Sequence, residues 1–431
     1  MGMTVTEKIL ASRAGKKSVR PGDLIFAKVD FSMGSDVTVP LSAVSLRSMG
    51  TDKVHDPSRV AMVQDHFVPA KDIKSAELSK ATREFAKSQP GSHYFEVGRA
   101  GICHTVIPDE GLVVPGDVVV GADSHTCTYG ALGLFATGVG STDLAAVWAL
   151  GETWFKVPAT IRVNYHGKIG PMIMGKDLIL ALLGRIGIDG ATYQALEFAG
   201  APISDLAMND RFTIANMAIE GGAKNGIIEV DEITMAYGKG RWKRPPETFR
   251  SDPDAEFVQT IDIDIDGMEP QVAAPYLPSN VKGVSKVAGT KVDQVFIGSC
   301  TNGRIEDYRI AADIMAGRKV HPDVRMLVIP ASHEVQMKLV SEGLMTKFLE
   351  AGAEIGPSTC GPCIGGHMGI LGGGEVGFYT SNRNFVGRNG ARDAQVYLGS
   401  PAIAAATAVA GVITDPRELK PSKIISGKAA A

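Results

Sequence analysis

Three of the five cysteines stand where they could share one metal centre: Cys300, in Gly298-Ser299-Cys300-Thr301-Asn302-Gly303, and the pair in Cys360-Gly361-Pro362-Cys363. A closed tetrahedral zinc site or an ordinary cubane iron–sulfur cluster takes four protein ligands. Three thiolates leave one metal corner open, and an open corner can bind and polarise a substrate oxygen as a Lewis acid. Spacing alone leaves several assignments in play. Cys103 or Cys127 could supply a fourth thiolate. His367 lies four residues after Cys363 and would complete a Cys3His zinc site. A lone Cys-x-x-Cys could also be a redox pair. Gly365-Gly366 beside the pair favours a cluster whose sulfurs accept backbone N–H bonds.

Other polar groups fit chemistry at such a corner. Asn382-Arg383-Asn384 and Arg388 put two guanidinium groups five positions apart. Guanidinium forks match carboxylates bidentately, so a polycarboxylate is the matching ligand, against the alternative of ion pairing on a surface loop. Acid–base work could fall to Asp65-His66, His104, Asp123-Ser124-His125, or Asn216 with Glu220. An imidazole held by a carboxylate has a fixed tautomer and a raised pKa, which suits it to protonate a leaving hydroxyl. There is no G-x-S-x-G elbow of a serine hydrolase, and Gly138-Val139-Gly140-Ser141-Thr142-Asp143 lacks the third glycine of a dinucleotide fingerprint.

These residues need elements to bring them together. An apolar strand at 117–121 runs into Asp123-Ser124-His125, followed by a helix over 143–154 with Ser141 or Thr142 as N-cap. Strands are expected at 160–165 and 261–266, the latter an edge strand whose Asp262, Asp264 and Asp266 share a solvated face. Pro275 and Pro278 suggest a linker. Beyond it, strands at 292–297, 326–329, 376–380 and 396–398 alternate with helices at 305–315 and 334–349 and one that starts at Ser400-Pro401. Such alternation implies α/β architecture with parallel sheets, whose ligands sit outside the carboxyl ends of the strands. Cys300, Asn382, Arg383, Arg388 and the Asp123 cluster all fall just after strands. The chain divides into 1–157 with the Asp/His residues, 158–283 with Asn216 and Glu220, and 284–431 with the cysteines and the arginine loop.

Bulk composition narrows the function classes. The 431 residues carry a net charge of −3, with 44% hydrophobic and 21% charged residues. No global attraction to nucleic acid or membrane follows. The basic stretch 239–246 has no second basic element beside it and reads as an exposed loop. An odd number of irregularly spaced cysteines argues against a secreted disulfide framework, so a cytoplasmic setting is expected. The N-terminus lacks the apolar stretch of a signal peptide, its match to the short Gly2/Thr6 myristoylation pattern is read as chance, and no apolar run is long enough to span a bilayer.

Taken in order, Gly298-Ser299-Cys300-Thr301-Asn302, Cys360-Gly361-Pro362-Cys363-Ile364-Gly365 and Asn382-Arg383-Asn384-Phe385-x-Gly387-Arg388 resemble the aconitase superfamily. The resemblance is closest to the large subunits of two-subunit isopropylmalate/homoaconitate dehydratases, and matching segments run from Val60 through Gly411. It implies three aconitase-type α/β domains with mainly parallel sheets around a cluster cleft, the mobile fourth domain being absent. It implies a [4Fe–4S] cluster on Cys300, Cys360 and Cys363, with one iron open to the substrate hydroxyl and carboxylate. It pairs Asp65 with His66, His104 with Asp123, and His125 with Glu220, and makes His66 the donor to the departing hydroxyl. Ser124, Asn216, Asn382, Arg383 and Arg388 become the substrate-side residues. Two departures are visible: Ser35 stands where relatives carry a larger polar residue, and Thr105 where they commonly carry Gln. The serine base and the loop that reads the substrate's side group are then expected on a separate, swivelling small subunit.

The expected activity is reversible dehydration of a hydroxy di- or tricarboxylic acid. Isopropylmalate is the first candidate, with homoaconitate, dimethylmalate or citraconate/maleate behind it. Two competing classes are an RNA-binding regulator in the cluster-free form and a scaffold with structural zinc on Cys300, Cys360, Cys363 and His367.

Overall fold

Val118-Val119-Val120-Gly121 is buried throughout, as a strand covered on both faces must be. In the computed structural model, which describes residues 2–419, it lies within a five-stranded sheet. From edge to edge the strands are His93–Phe95, Val60–Val63, Phe31–Ser35, Val118–Gly121 and Phe135–Gly138, and every adjacent pair is parallel. The final stretch of the third region, 420–431, lies outside the described residues.

A second parallel sheet runs Asn225–Ile228, Ala195–Ala199, Thr160–His166 and Gln259–Asp264. Its last strand is an edge, with Ile261 and Ile263 buried and Asp262 and Asp264 in solvent, so the alternation expected there holds. A third sheet of seven strands is parallel from Gln395–Leu398 through Val376–Tyr379, Gln294–Gly298 and Arg325–Ile329 to Glu354–Ile355. At its other edge Gln271–Ala273 and Val281–Gly283 are added antiparallel. The architecture is the expected α/β with mainly parallel sheets. The second and third sheets share one apolar core in which Leu196 and Phe198 lie with Phe296, Ile329, Tyr379 and Cys363. Each such side chain contributes about 1.5–3 kcal/mol on burial, so the core sets where the strands end and thereby where their loops sit.

Three local expectations need correction. The helix expected over 143–154 is Ser141–Leu150, capped by Gly140 rather than by Ser141 or Thr142. Gly151 ends it in the left-handed region, and Glu152–Lys156 forms a strand antiparallel to Leu24–Lys28. The single helix expected over 334–349 is two, His333–Ser341 and Leu344–Ala351, broken where Gly343 takes a φ of +69°. The proline-rich linker is the turn of the hairpin between Gln271–Ala273 and Val281–Gly283, a place that suits the same residue types. Among the described residues no helix is long and apolar enough to cross a membrane.

Candidate active site

The loop after Val60–Val63 carries Asp65 and His66. It is held from beneath by Asp36, which follows Phe31–Ser35 and accepts the N–H groups of Asp65 (3.1 Å), His66 (2.8 Å) and Phe67 (2.9 Å). His66 Nδ1 donates to Asp65 Oδ1 at 2.5 Å, and the other oxygen of Asp65 accepts the N–H of Cys103 at 3.0 Å. His66 Nε2 lies 3.4 Å from Asp123 Oδ2. Burial opposes a charge on His66, but Asp65 and Asp123 outweigh it and hold the imidazole well above its ordinary pKa.

Asp123 follows Val118–Gly121 and joins this pair to two more histidines. His104 Nε2 donates to Asp123 Oδ1 at 2.9 Å, and the same oxygen accepts the His125 N–H at 2.8 Å. His125 Nε2 meets Glu220 Oε1 at 2.8 Å. Glu220 is gripped in turn by Arg383 Nε at 2.9 and 3.0 Å, and Arg383 Nη2 donates to Ser124 Oγ at 3.1 Å. Despite burial, the carboxyls of Asp123 and Glu220 are held below the usual range, Asp123 by His104 and its neighbouring imidazoles, Glu220 by His125 and Arg383. All three carboxylate–imidazole pairs expected from the sequence are therefore formed.

The thiols face this network from the third sheet. Cys300 follows Gln294–Gly298 in a turn where Ser299 adopts the left-handed region at φ 78°. Asn216 and Asn382 each aim an amide N–H at Cys300 Sγ, at 3.2 and 3.5 Å, and Cys363 Sγ donates to Asn382 Oδ1 at 3.5 Å. Asn216 Oδ1 accepts from Thr301 Oγ1 at 3.0 Å, which ties the Cys300 turn to the end of the helix Met208–Asn216. The Asp65 carbonyl accepts both Thr359 Oγ1 (2.7 Å) and the Cys360 N–H (2.9 Å), so the Cys360 loop is docked onto the loop of His66. Burial raises the thiol pKa values of Cys300 and Cys360. Charge on neighbouring groups adds to this, that of Cys363 on Cys300 and those of Asp65 and the other two sulfurs on Cys360. Such a set gives up its protons when a metal supplies the compensating charge.

The arrangement discriminates between metals. Four sulfurs around one zinc sit ~3.8 Å apart, from Zn–S bonds of ~2.3 Å in a tetrahedron. Cys300, Cys360 and Cys363 do not form a group with all sulfurs within 4.8 Å of one another. His367 is engaged elsewhere, with Nε2 2.8 Å from the Pro69 carbonyl. The Cys3His zinc site is not formed. Cys127 points its thiol at the Asn216 carbonyl (3.3 Å), and neither it nor Cys103 joins such a group among the described residues. Three thiols, with amide donors on one sulfur, are a donor set that suits an iron–sulfur centre. Asp65, His66 and Cys360 do bring their ligand atoms within 4.8 Å of one another, which puts the Asp65–His66 pair against the Cys360 thiol.

Arg388 donates from Nε to the Cys363 carbonyl at 3.0 Å and forms no ion pair among the described residues, leaving its terminal nitrogens for a ligand. Ser35 is buried and bonded to Thr38 (3.2 Å). Thr105 is buried with its hydroxyl unpartnered. Both remain beside the site-bearing loops. Asp36 is a site-building residue that sequence reasoning missed. Its partners are backbone N–H groups, which leave no partner residue to recognise in the sequence.

The sequence profile described as "Aconitase family (aconitate hydratase)" matches residues 7–288 and 281–411. The 3-isopropylmalate dehydratase large subunit of Moorella thermoacetica is 58% identical, covering 97% of this chain and 100% of that one. That of Aquifex aeolicus is 55% identical over 99% of this chain and 100% of its own. Large subunit 1 of the Pyrococcus furiosus enzyme is 54% identical over 97% and 99%. The crystal structure of Thermococcus kodakaraensis aconitase X in its holo-form superposes with a TM-score of 0.51 at 13% identity, covering 88% of this chain and 89% of that one, which speaks to the fold alone. With a profile match spanning nearly its whole length and relatives this similar end to end, the chain belongs to the aconitase family.

Proposed function

We propose that this chain is the large, iron–sulfur subunit of 3-isopropylmalate dehydratase, a hydro-lyase that reversibly dehydrates a hydroxy dicarboxylic acid. The observation that carries the reading is the contact of the Asp65–His66 pair with Cys360, in a chain whose relatives bear that name along their whole length. Family membership implies an iron–sulfur cluster, and the words "large subunit" in the relatives' names imply a small-subunit partner. The finer assignment is a [4Fe–4S] cluster on Cys300, Cys360 and Cys363, with the fourth iron free of protein ligands. When bound, it supplies a Lewis acid that polarises the substrate's hydroxyl and carboxylate oxygens.

The chain's own residues would do the rest. His66, kept protonated by Asp65 and Asp123, delivers a proton from Nε2 to the departing hydroxyl oxygen. His104 fixes Asp123, and Asp36 fixes the backbone of His66, so the donor is held in place before substrate arrives. Ser124, Arg383 and Arg388 take substrate carboxylate oxygens, and Glu220 with His125 sets the orientation of Arg383. Asn216 and Asn382 orient the Cys300 sulfur. The base that removes the carbon-bound proton would come from the small subunit.

The test is anaerobic reconstitution with iron and sulfide, followed by mixing with the small subunit that pairs with the Moorella thermoacetica relative and assay over a panel of hydroxy acids. A brown protein that forms alkene from isopropylmalate only with the partner present is the expected result. A colourless protein holding stoichiometric zinc overturns the cluster assignment. Turnover confined to homoaconitate or a smaller malate overturns the substrate.

A further inference from the structure

Lys176 lies in the first turn of the helix Gly175–Ile186 and is fully buried. That place is doubly unfavourable for a cation. Burial without an ion pair costs several kcal/mol, and the N-terminal end of a helix carries partial positive charge. The nearby buried carboxylates are occupied elsewhere. Asp177 accepts the N–H groups of Met174 and Gln271, and Asp307 accepts from Arg304 N–H and Asn302. Among the described residues Lys176 Nζ has two hydrogen-bond partners, the carbonyls of Thr380 (3.0 Å) and Ser381 (2.6 Å).

Those carbonyls follow the strand Val376–Tyr379 and directly precede Asn382 and Arg383. Asn382 reaches Cys300 Sγ, Thr301 Oγ1 and Asn216 Oδ1, and Arg383 grips Glu220 and Ser124. One ammonium thus sits under the turn from which both side chains enter the site. Burial pulls the Lys176 pKa down to about 7, and the charges that most favour its protonated form are those of Cys363 and Cys300, ahead of Asp307 and Asp177.

We propose that Lys176 is a positioning residue of the active site. It pins the Thr380–Ser381 turn so that Asn382 and Arg383 meet Cys300 and Glu220. The inference rests on the cluster reading above. Asn382 gives an N–H bond to the Cys300 sulfur, and hydrogen bonds to cluster sulfurs raise the potential, so a turn that is no longer pinned moves the reduction potential negative.

The test uses the reconstituted holoenzyme with Lys176→Met, Lys176→Gln and Lys176→Arg. The readouts are iron content, the cluster potential from a redox titration followed by electron paramagnetic resonance, and KM against kcat. Lys176→Gln keeps an N–H donor for the carbonyls and is expected to shift both potential and KM less than Lys176→Met. Lys176→Met is expected to shift the potential and also raise KM about tenfold, the loss of roughly one charge-assisted hydrogen bond. Lys176→Arg should stay near wild type in both. A folded Met variant with wild-type potential and KM, differing only in melting temperature or iron content, would overturn the proposal, as would an Arg variant shifted as far as Met. If Lys176→Met does not fold, Lys176→Gln decides, a negative potential with a raised KM supporting the pin and wild-type values in both overturning it. A wild-type chain that takes up no cluster counts against the cluster reading itself and is seen in the iron content before any variant is compared.

Discussion

At the scale of single residues, the site depends on charges held in fixed geometry. His66→Gln removes the proton donor while leaving the three thiols in place. Its kcat should fall by about 10²–10⁴-fold with the cluster absorbance unchanged. Asp36→Ala leaves three buried N–H groups without their acceptor, at a cost of at least about 2 kcal/mol. A lowered melting temperature together with a lowered kcat is the expected result, because the same N–H groups hold His66. Cys300, Cys360-x-x-Cys363 and Asn382-Arg383 were legible in the sequence because each is a contiguous motif with an uncommon residue type. Asp36 and Lys176 were not, because they act on main-chain N–H and C=O groups, and a side chain bonded to backbone leaves no partner residue to recognise. The pairing of His125 with Glu220 spans 95 positions, so it was readable through resemblance and not through spacing.

At the scale of elements, three helices carry an aspartate at their third position, Asp177 and Asp307 buried and Asp210 half-buried. Asp177 accepts from Met174 N–H, Asp210 from Gly175 N–H of the neighbouring helix, and Asp307 from Arg304 N–H. Burial pushes their carboxyls up to about 7, about 6 and about 7. A carboxyl raised in the folded chain keeps a proton that the unfolded chain has released above its ordinary pKa near 4. Its contribution is therefore present at low pH and lost as pH rises through the folded value. Melting temperature should fall from pH 5 to pH 8, and Asp307→Asn should flatten that slope when the two proteins are scanned across the range. Such buried acids are not visible in sequence, where Asp at the start of a helix reads as an ordinary solvent-facing cap. The strands were easier, since runs such as Val118-Val119-Val120 leave little choice. The helix ends were misread at Gly151 and Gly343, where one glycine in the left-handed region outweighed an otherwise continuous helical pattern.

At the scale of the whole molecule, the proposed function puts the acid and the thiols on this chain and the base on another polypeptide. The reconstituted chain alone should turn over isopropylmalate at less than about 1% of the rate with the small subunit, since loss of a general base costs about 10²-fold or more. Alkene absorbance measured on titrating in the partner checks this, and full activity without it would refute the division of labour. The parallel sheets were readable as a class from strand–helix alternation, but not how their carboxyl ends converge, because that depends on contacts remote in sequence. One such contact has a consequence for how the protein is made. The Asp65 carbonyl is joined to Thr359 across 294 positions, while the Cys300 sulfur waits on amides from Asn216 and Asn382. Long-range closures of this kind come late in folding. During biogenesis, a chain still emerging from the ribosome presents scattered thiols and no basin to receive iron. On the iron–sulfur reading the metal comes second, to a chain already wrapped around its own beginning.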